Sequence, residues 1–456
     1  MFRCSACEAT FPRWQGRCPR CNTWDTLVEV SLAPASALTS SSRLAGGKVG
    51  AVAAPVTTPL RELTGLAVER LHSGFGEIDR VVGGGFVPGG VTLLGGAPGI
   101  GKSTLALQWL GHFAKAGVKC LYQSGEESAP QLAQRASRLR PSQVADVEVL
   151  PGGDARLLID AICSAKFQVV VVDSVQTLRA DGQGWSAGSV TQLREVTAAV
   201  VDAAKTANVA VLLIGHITKE GALAGPKVLE HLVDTVLTFE GHPSSDYRVV
   251  RAVKNRFGPA QTLAIFEMRP FGLHEVPDPS AAFLAERPEG VSGSVVAIGT
   301  SGSRAFLVEV QALVAPAAGS PRRVASGCEN DRLAIMLAVL ERKLGYRFSD
   351  QDVFLSVAGG IDLSERALDL PIATTLASAH SGRVAGAGVA LFGEVGLAGE
   401  VRGVPHAALR VAEALKLNLS RVIIPAACLR DLDPRPPAAS GVTSLAGAID
   451  LALSGK

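Results

Sequence analysis
The sequence predicts an α/β protein in which a buried parallel sheet surrounds a phosphate-binding loop. A small cysteine-rich module precedes that sheet, and a second domain of mixed strands and helices follows it. Three observations carry the prediction. Short β-branched runs (VTLLGG, KCLYQS, FQVVVVDS and NVAVLLIGH) alternate with helix-compatible stretches between residues 91 and 216, the rhythm of a sheet covered on both faces. The octet Gly96-Ala97-Pro98-Gly99-Ile100-Gly101-Lys102-Ser103 matches G-x-x-x-x-G-K-[ST] directly after the first of those runs. Four of the eight cysteines crowd into the first 21 residues.

Composition sets the outer limits. With 456 residues, 47% of them hydrophobic and 19% charged, the chain buries cores and is not a disordered polymer. A net charge of +2 decides nothing about nucleic acid, so any such site must come from local patches. The first residues, MFRCSACEATFPRWQGRCPRC, hold no apolar core of signal-peptide length, and no uncharged apolar run reaches the roughly 18 residues that span a membrane. The expectation is a cytoplasmic protein without a membrane partner. In that reducing compartment clustered cysteines favour a metal over disulfides.

Residues 1–30 read as a zinc finger. Cys4-x2-Cys7 and Cys18-x2-Cys21 form two tight knuckles able to bring four thiolates to about 2.3 Å from one Zn²⁺. A module this small cannot bury enough apolar surface alone, so the metal would supply most of its folding energy. Trp14 and Trp24 with Arg13, Arg17 and Arg20 suit stacking on single-stranded DNA, or the tryptophans cover the zinc core; both readings stand at this point. Residues 31–66, rich in Ala, Ser, Thr, Pro and Gly, read as a flexible linker.

Residues 67–275 read as the ATP-binding domain. The glycines of the octet let successive backbone N–H groups turn toward phosphates, and the helix that starts at Ser103–Thr104 adds the positive end of its dipole. Lys102 should reach the β- and γ-phosphates of ATP, with Gly96 to Thr104 as the cradle. The Ser103 hydroxyl and Asp173, the carboxylate ending the run Val169–Val172, should hold Mg²⁺. His216, at the end of another strand, is placed to sense the γ-phosphate or is a structural histidine. The runs DTVLTFEG, YRVVRAVKNRFG and TLAIFEM follow without helices between them and predict antiparallel strands that complete the sheet.

These motifs are also distinctive as text. WQGRCPRCNTW, SGFGEIDRVVGGGFVPGGVTLLGGAPGIGKSTL, SGEES, VVVVDSVQT, GHITKEG and Lys254-Asn255-Arg256-Phe257-Gly258, in this order along essentially the whole chain, resemble the bacterial RadA (Sms) family of RecA-like ATPases. The resemblance implies a DNA-stimulated ATPase that forms homohexameric rings. It would promote branch migration and heteroduplex extension on recombination intermediates beside the RecA recombinase, and aid repair of DNA breaks. Its partners would be single-stranded and branched DNA. ATPases similar to RecA place a catalytic glutamate after the strand that follows the phosphate-loop helix, where Glu126 and Glu127 stand. Two adjacent carboxylates cannot both face the γ-phosphate, and Glu126 is favoured over Glu127. Lys254 and Arg256 could reach the triphosphate of a neighbouring subunit or grip DNA phosphates. The loops 179–185 and 219–227, with Lys219 and Lys227, would face the ring axis and DNA.

Residues 285–456 resemble the proteolytic domain of Lon, a fold shared with ribosomal protein S5, most clearly in Phe392-Gly393-Glu394-Val395-Gly396-Leu397-Ala398-Gly399-Glu400-Val401. Lon peptidases use a Ser–Lys dyad. Where their serine belongs this chain has Asp369-Leu370-Pro371-Ile372-Ala373-Thr374, with Ile372 in the nucleophile's place, and Ala408 aligns with the lysine. Thr374 and Thr375 lack an activating lysine. The domain is therefore expected not to be a protease but to build the ring and offer a binding surface, with Arg304, Arg322 and Arg323 as candidate contacts. An ATP-dependent protease is opposed by the missing dyad, and a KaiC-like signalling ATPase by the zinc ribbon and the KNRFG segment.

Overall fold
The structure, a computed structural model, describes residues 69–453 apart from 140–143, 145, 181–188, 217–227, 242–245, 303 and 359–364. Of the first 68 residues it describes 2–4, 10–11, 16, 21, 23, 27–29 and 59. The chain separates into two compact units, Met1–Leu66 and Ala67–Lys456. In the first, β1 (Phe2–Cys4) pairs antiparallel with both β2 (Thr10–Phe11) and β3 (Leu27–Glu29).

The second unit is built on two large sheets. The first runs β12-β11-β10-β9-β4-β8-β7-β5-β6. Its parallel part comprises β4 (Val91–Gly96), β5 (Cys120–Ser124), β6 (Glu148–Pro151), β7 (Val169–Asp173), β8 (Ala210–His216) and β9 (Thr235–Glu240). β10 (Tyr247–Asn255), β11 (Leu263–Arg269) and β12 (Gly272–Glu275) then add antiparallel to β9 in turn. This is the RecA-like α/β core. The alternation of a strand sends Leu94, Tyr122, Val171 and Leu212 to one face, against the helices Lys102–Lys115 and Ala129–Arg138. Leu93, Leu121, Val170, Val172 and Leu213 go to the other, against Ala155–Cys163 and Val190–Ala207. Both faces are buried, which is why these strands read as continuous apolar runs.

The second sheet runs β15-β16-β14-β13-β17-β20-β21. β13 (Ser294–Ser301), β14 (Arg304–Pro316) and β16 (Gln351–Val357) are antiparallel, whereas β15 (Arg323–Ser326), β17 (Val389–Leu391), β20 (Arg421–Pro425) and β21 (Ala439–Val442) join in parallel. β18 (Glu394–Val395) and β19 (Val401–Arg402) form a separate antiparallel pair. The helices Asn330–Leu344, Asp369–Ser381 and Leu445–Ala452 pack on one face through Met336, Leu376 and Ile449. The helix Ala407–Lys416 packs on the other through Val411 and Ala414. Before this sheet comes a helix, Pro279–Leu284, capped by Asp278 and anchored by Phe283 in the core of the second sheet. Among the described residues no helix is long and apolar enough to cross a membrane.

Candidate nucleotide site
β4 ends at the phosphate loop because its last residues are glycines that leave the sheet without a side chain to place. Gly101 has φ +115° and would press a Cβ to 2.8 Å from the Met268 methyl, so only glycine fits where the loop turns into the helix. Lys102 is buried, and its ammonium donates to the carbonyls of Gly96 and Ala97, each at 2.9 Å. Burial pulls its pKa down, opposed by the charges of Asp173 and Glu126.

Because β4, β8, β7 and β5 lie side by side and parallel in that order, their carboxyl ends deliver side chains to the same edge. His216 from β8 has Nδ1 3.4 Å from the Lys102 ammonium and Nε2 2.9 Å from Glu126 Oε1. Ser174, joined to Asp173 by a cis peptide, donates its hydroxyl to the same Glu126 oxygen. Burial pushes the Glu126 carboxyl up, but the hydrogen bonds from Ser174 and His216 and the charge of Lys102 outweigh it and hold the group below the usual carboxylate range. The result is an ionised base beside the loop.

Glu127 turns the other way. It pairs with Arg135 of the helix Ala129–Arg138, and its second oxygen is buried without a hydrogen-bond partner among the described residues. Asp173 is buried, and Ser103 and Tyr122 both donate hydroxyl hydrogen bonds to its carboxylate. Burial raises the pKa of Asp173 against those two hydrogen bonds. Ser103 and Asp173 form an all-oxygen pair beside the loop, which is the donor chemistry Mg²⁺ takes. Lys102, Ser103, Glu126, Asp173 and His216 thus converge on one edge of the sheet.

Sequence reasoning missed Tyr122 and Ser174. The register Tyr122↔Val171 puts the phenol on the same face as Asp173, two residues further along β7, within diagonal reach. A tyrosine in a central strand, whose hydroxyl needs a partner once buried, was the available signal.

Lys254 and Arg256 sit at the opposite edge. Asn255 pairs with Thr235, and Thr235 with Thr92, while Gly96 pairs with Phe239. The four steps along the strand from Thr92 to Gly96 span about 13 Å, so these cations are remote from their own chain's phosphate loop. The Lys254 ammonium donates to the carbonyls of Glu230 and Val233, each at 2.7 Å. Arg256 is mostly exposed and lies 3.4 Å from Asp234. The rest of the segment is a lock. The Asn255 amide donates to the Val81 carbonyl at 3.2 Å, and its oxygen accepts from the Phe257 N–H at 2.9 Å. Gly258 passes so close to Gly83 that a Cβ would lie 2.6 Å from the Gly83 Cα.

In the first unit, Cys4 is buried and its sulfur lies 3.6 Å from that of Cys21. Two ligands on a tetrahedral zinc with bonds of about 2.3 Å stand about 3.8 Å apart, so the pair fits a shared metal. Cys7 and Cys18 lie outside the described residues, as do Trp14, Trp24, Arg13, Arg17, Arg20, Lys219, Lys227 and residues 181–185.

In the second sheet's domain, the residues at the dyad position are core. Ile372, Thr374 and Thr375 are buried, and the two hydroxyls donate to the carbonyls of Leu370 and Pro371, four residues back, at 2.8 and 2.7 Å. Asp369 is paired with Arg332 and accepts from the Val395 N–H at 3.1 Å. Ala408 is exposed on the helix Ala407–Lys416. Arg304 is not a free surface cation, as the sequence suggested. It is largely buried against Glu77 of the ATP-binding domain, where β14 approaches the helix Gly76–Val81, and its side chain is 17% exposed. Arg322 pairs with Asp352 and stays exposed, and Arg323 donates to the carbonyls of Gln351 and Phe348.

Comparison with known proteins follows the same division. The profile of the AAA domain family matches residues 57–222, that of the rubredoxin metal binding domain residues 2–29, and that of subunit ChlI of Mg-chelatase residues 328–428. Three curated relatives each carry the description DNA repair protein RadA. The one from Bacillus subtilis is 42% identical over 100% of this chain and 98% of its own. That of Escherichia coli is 42% identical over 99% and 97%, and that of Pseudomonas aeruginosa 46% over 93% and 92%.

Proposed function
Since the chain belongs to the RadA family of DNA repair proteins, we propose that it is a DNA-stimulated motor that drives branch migration on recombination intermediates. It is an ATPase of the RecA-like kind. One observation carries the mechanism: the convergence of Lys102, Glu126, Asp173, Ser174 and His216 beside the phosphate loop.

Backbone N–H groups of the loop from Gly99 to Thr104 bind the phosphates of ATP, and the Lys102 ammonium moves from the loop carbonyls to the β- and γ-oxygens. Ser103 and Asp173 would hold Mg²⁺, which would neutralise charge developing on the phosphates. Glu126, kept ionised by its hydrogen bonds, orients the attacking water and takes its proton. His216 bridges Lys102 and Glu126 and reports the γ-phosphate to β8. After β8 and β7 come the loops 219–227 and 179–185, which contact DNA, so the same strand ends serve phosphate and DNA.

Arg256, exposed and remote from its own loop, completes the site of a neighbouring subunit in a homohexameric ring, while Lys254 fixes the turn that presents it. Cys4, Cys7, Cys18 and Cys21 hold zinc. The Lon-like domain builds the ring and a binding surface without peptidase chemistry, because its candidate hydroxyls are buried and bonded to their own helix. The test is RecA-mediated strand exchange with the purified protein: ATP-dependent lengthening of heteroduplex by wild type, and none by Glu126→Gln. Equal lengthening by both would refute the motor reading.

A further inference from the structure
Tyr122 of β5 is fully buried, and its ring is packed in the apolar cluster containing Leu105, Leu132, Leu139 and Val171. Its hydroxyl ends on Asp173 Oδ2. Ser103 also hydrogen-bonds to that carboxylate, and Arg135 lies close enough to act on both Tyr122 and Asp173. A carboxylate at a strand end, held by a phenol from the neighbouring strand, loses its rotational freedom.

We propose that Tyr122 is a positioning residue for the metal: its hydroxyl holds the Asp173 carboxylate in one rotamer toward Ser103, ready for a divalent cation. The proposal rests on the reading of Ser103 and Asp173 as the Mg²⁺ site. The chemistry is that of an outer partner, which fixes the orientation of a ligand it never replaces. Phenylalanine fills the same apolar slot and removes only the donor. The Asp173 carboxylate then has one hydrogen bond fewer to fix its rotamer beside Ser103.

The experiment compares the full chain as wild type, Tyr122→Phe and Asp173→Asn. Mn²⁺ binding is measured by electron paramagnetic resonance with ADP present, and Mg²⁺ is titrated in ATP turnover. Tyr122→Phe should weaken Mn²⁺ binding about tenfold or more and raise half-saturating Mg²⁺ by a similar factor. Excess Mg²⁺ should restore turnover, and the melting temperature should stay near wild type. A merely structural tyrosine would move melting and leave metal affinity alone. Unchanged Mn²⁺ affinity in Tyr122→Phe, with affinity lost in Asp173→Asn, would overturn the positioning role while sparing the site. Unchanged affinity in both variants would remove the metal site and the proposal together.

Discussion
The tandem Glu126-Glu127 offers two nearly identical perturbations with opposite expected outcomes. Glu126→Gln keeps the volume and an oxygen that can accept from Ser174, but removes the negative charge that faces Lys102 and His216. Loss of a general base costs on the order of 10²–10⁴ in kcat, which is about 2.7–5.4 kcal/mol of barrier. Nucleotide affinity should change by less than about threefold, because the loop and Lys102 that hold the phosphates are intact. Glu127→Gln removes instead the pair with Arg135, whose partners are 26% and 33% exposed. A partly exposed pair contributes about 1 kcal/mol, equivalent to about 2–4 °C of melting temperature in a domain of this size. Turnover should fall less than about tenfold, since the carboxylate at the loop is untouched. Steady-state ATP hydrolysis, fluorescent ADP binding and thermal melting of both variants give the comparison. A larger loss of kcat in Glu127→Gln than in Glu126→Gln would refute the assignment and exchange the two roles.

Three further outcomes follow from the same geometry. Gly258→Ala should destabilise the first domain by about 1–3 kcal/mol, because the added methyl meets the Gly83 backbone at 2.6 Å; unchanged thermal melting would show that the lock yields. The protein should carry one zinc per chain by metal analysis under reducing conditions, and Cys18→Ser should lose it; stoichiometric zinc in that variant would break the four-thiolate reading. Arg256→Ala chains mixed with Lys102→Ala chains should recover part of the ATPase activity that each lacks, since some interfaces then pair an intact loop with an intact arginine. Failure to recover, with normal turnover of Arg256→Ala alone in the absence of DNA, would assign Arg256 to DNA phosphates.

The parallel sheet was legible because its strands are buried on both faces and so appear as apolar runs, and the phosphate loop because glycine and lysine spacing is dictated by phosphate geometry. Long-range partnership was not legible. Nothing local distinguishes Glu126 from Glu127; the choice is made by Ser174 and His216, 48 and 90 residues away. Tyr122 belongs to the site only through the register of β5 with β7. Arg304 looks like any surface arginine until Glu77, 227 residues distant, is brought against it. In KNRFG the cations draw attention, yet Asn255, Phe257 and Gly258 are fixed by contacts to Val81 and Gly83 that a sequence does not reveal.

The most direct test of the central claim, that this nucleotide site works for DNA, is ATP turnover titrated with single-stranded, duplex and forked DNA. The account predicts that wild-type turnover rises with single-stranded or forked DNA. Glu126→Gln should bind the same DNA and ATP with no rise. The stimulation should weaken as salt is raised, because cationic contacts release counterions from the phosphates. Turnover that is indifferent to every DNA form, in a protein that still binds and hydrolyses ATP, would contradict it.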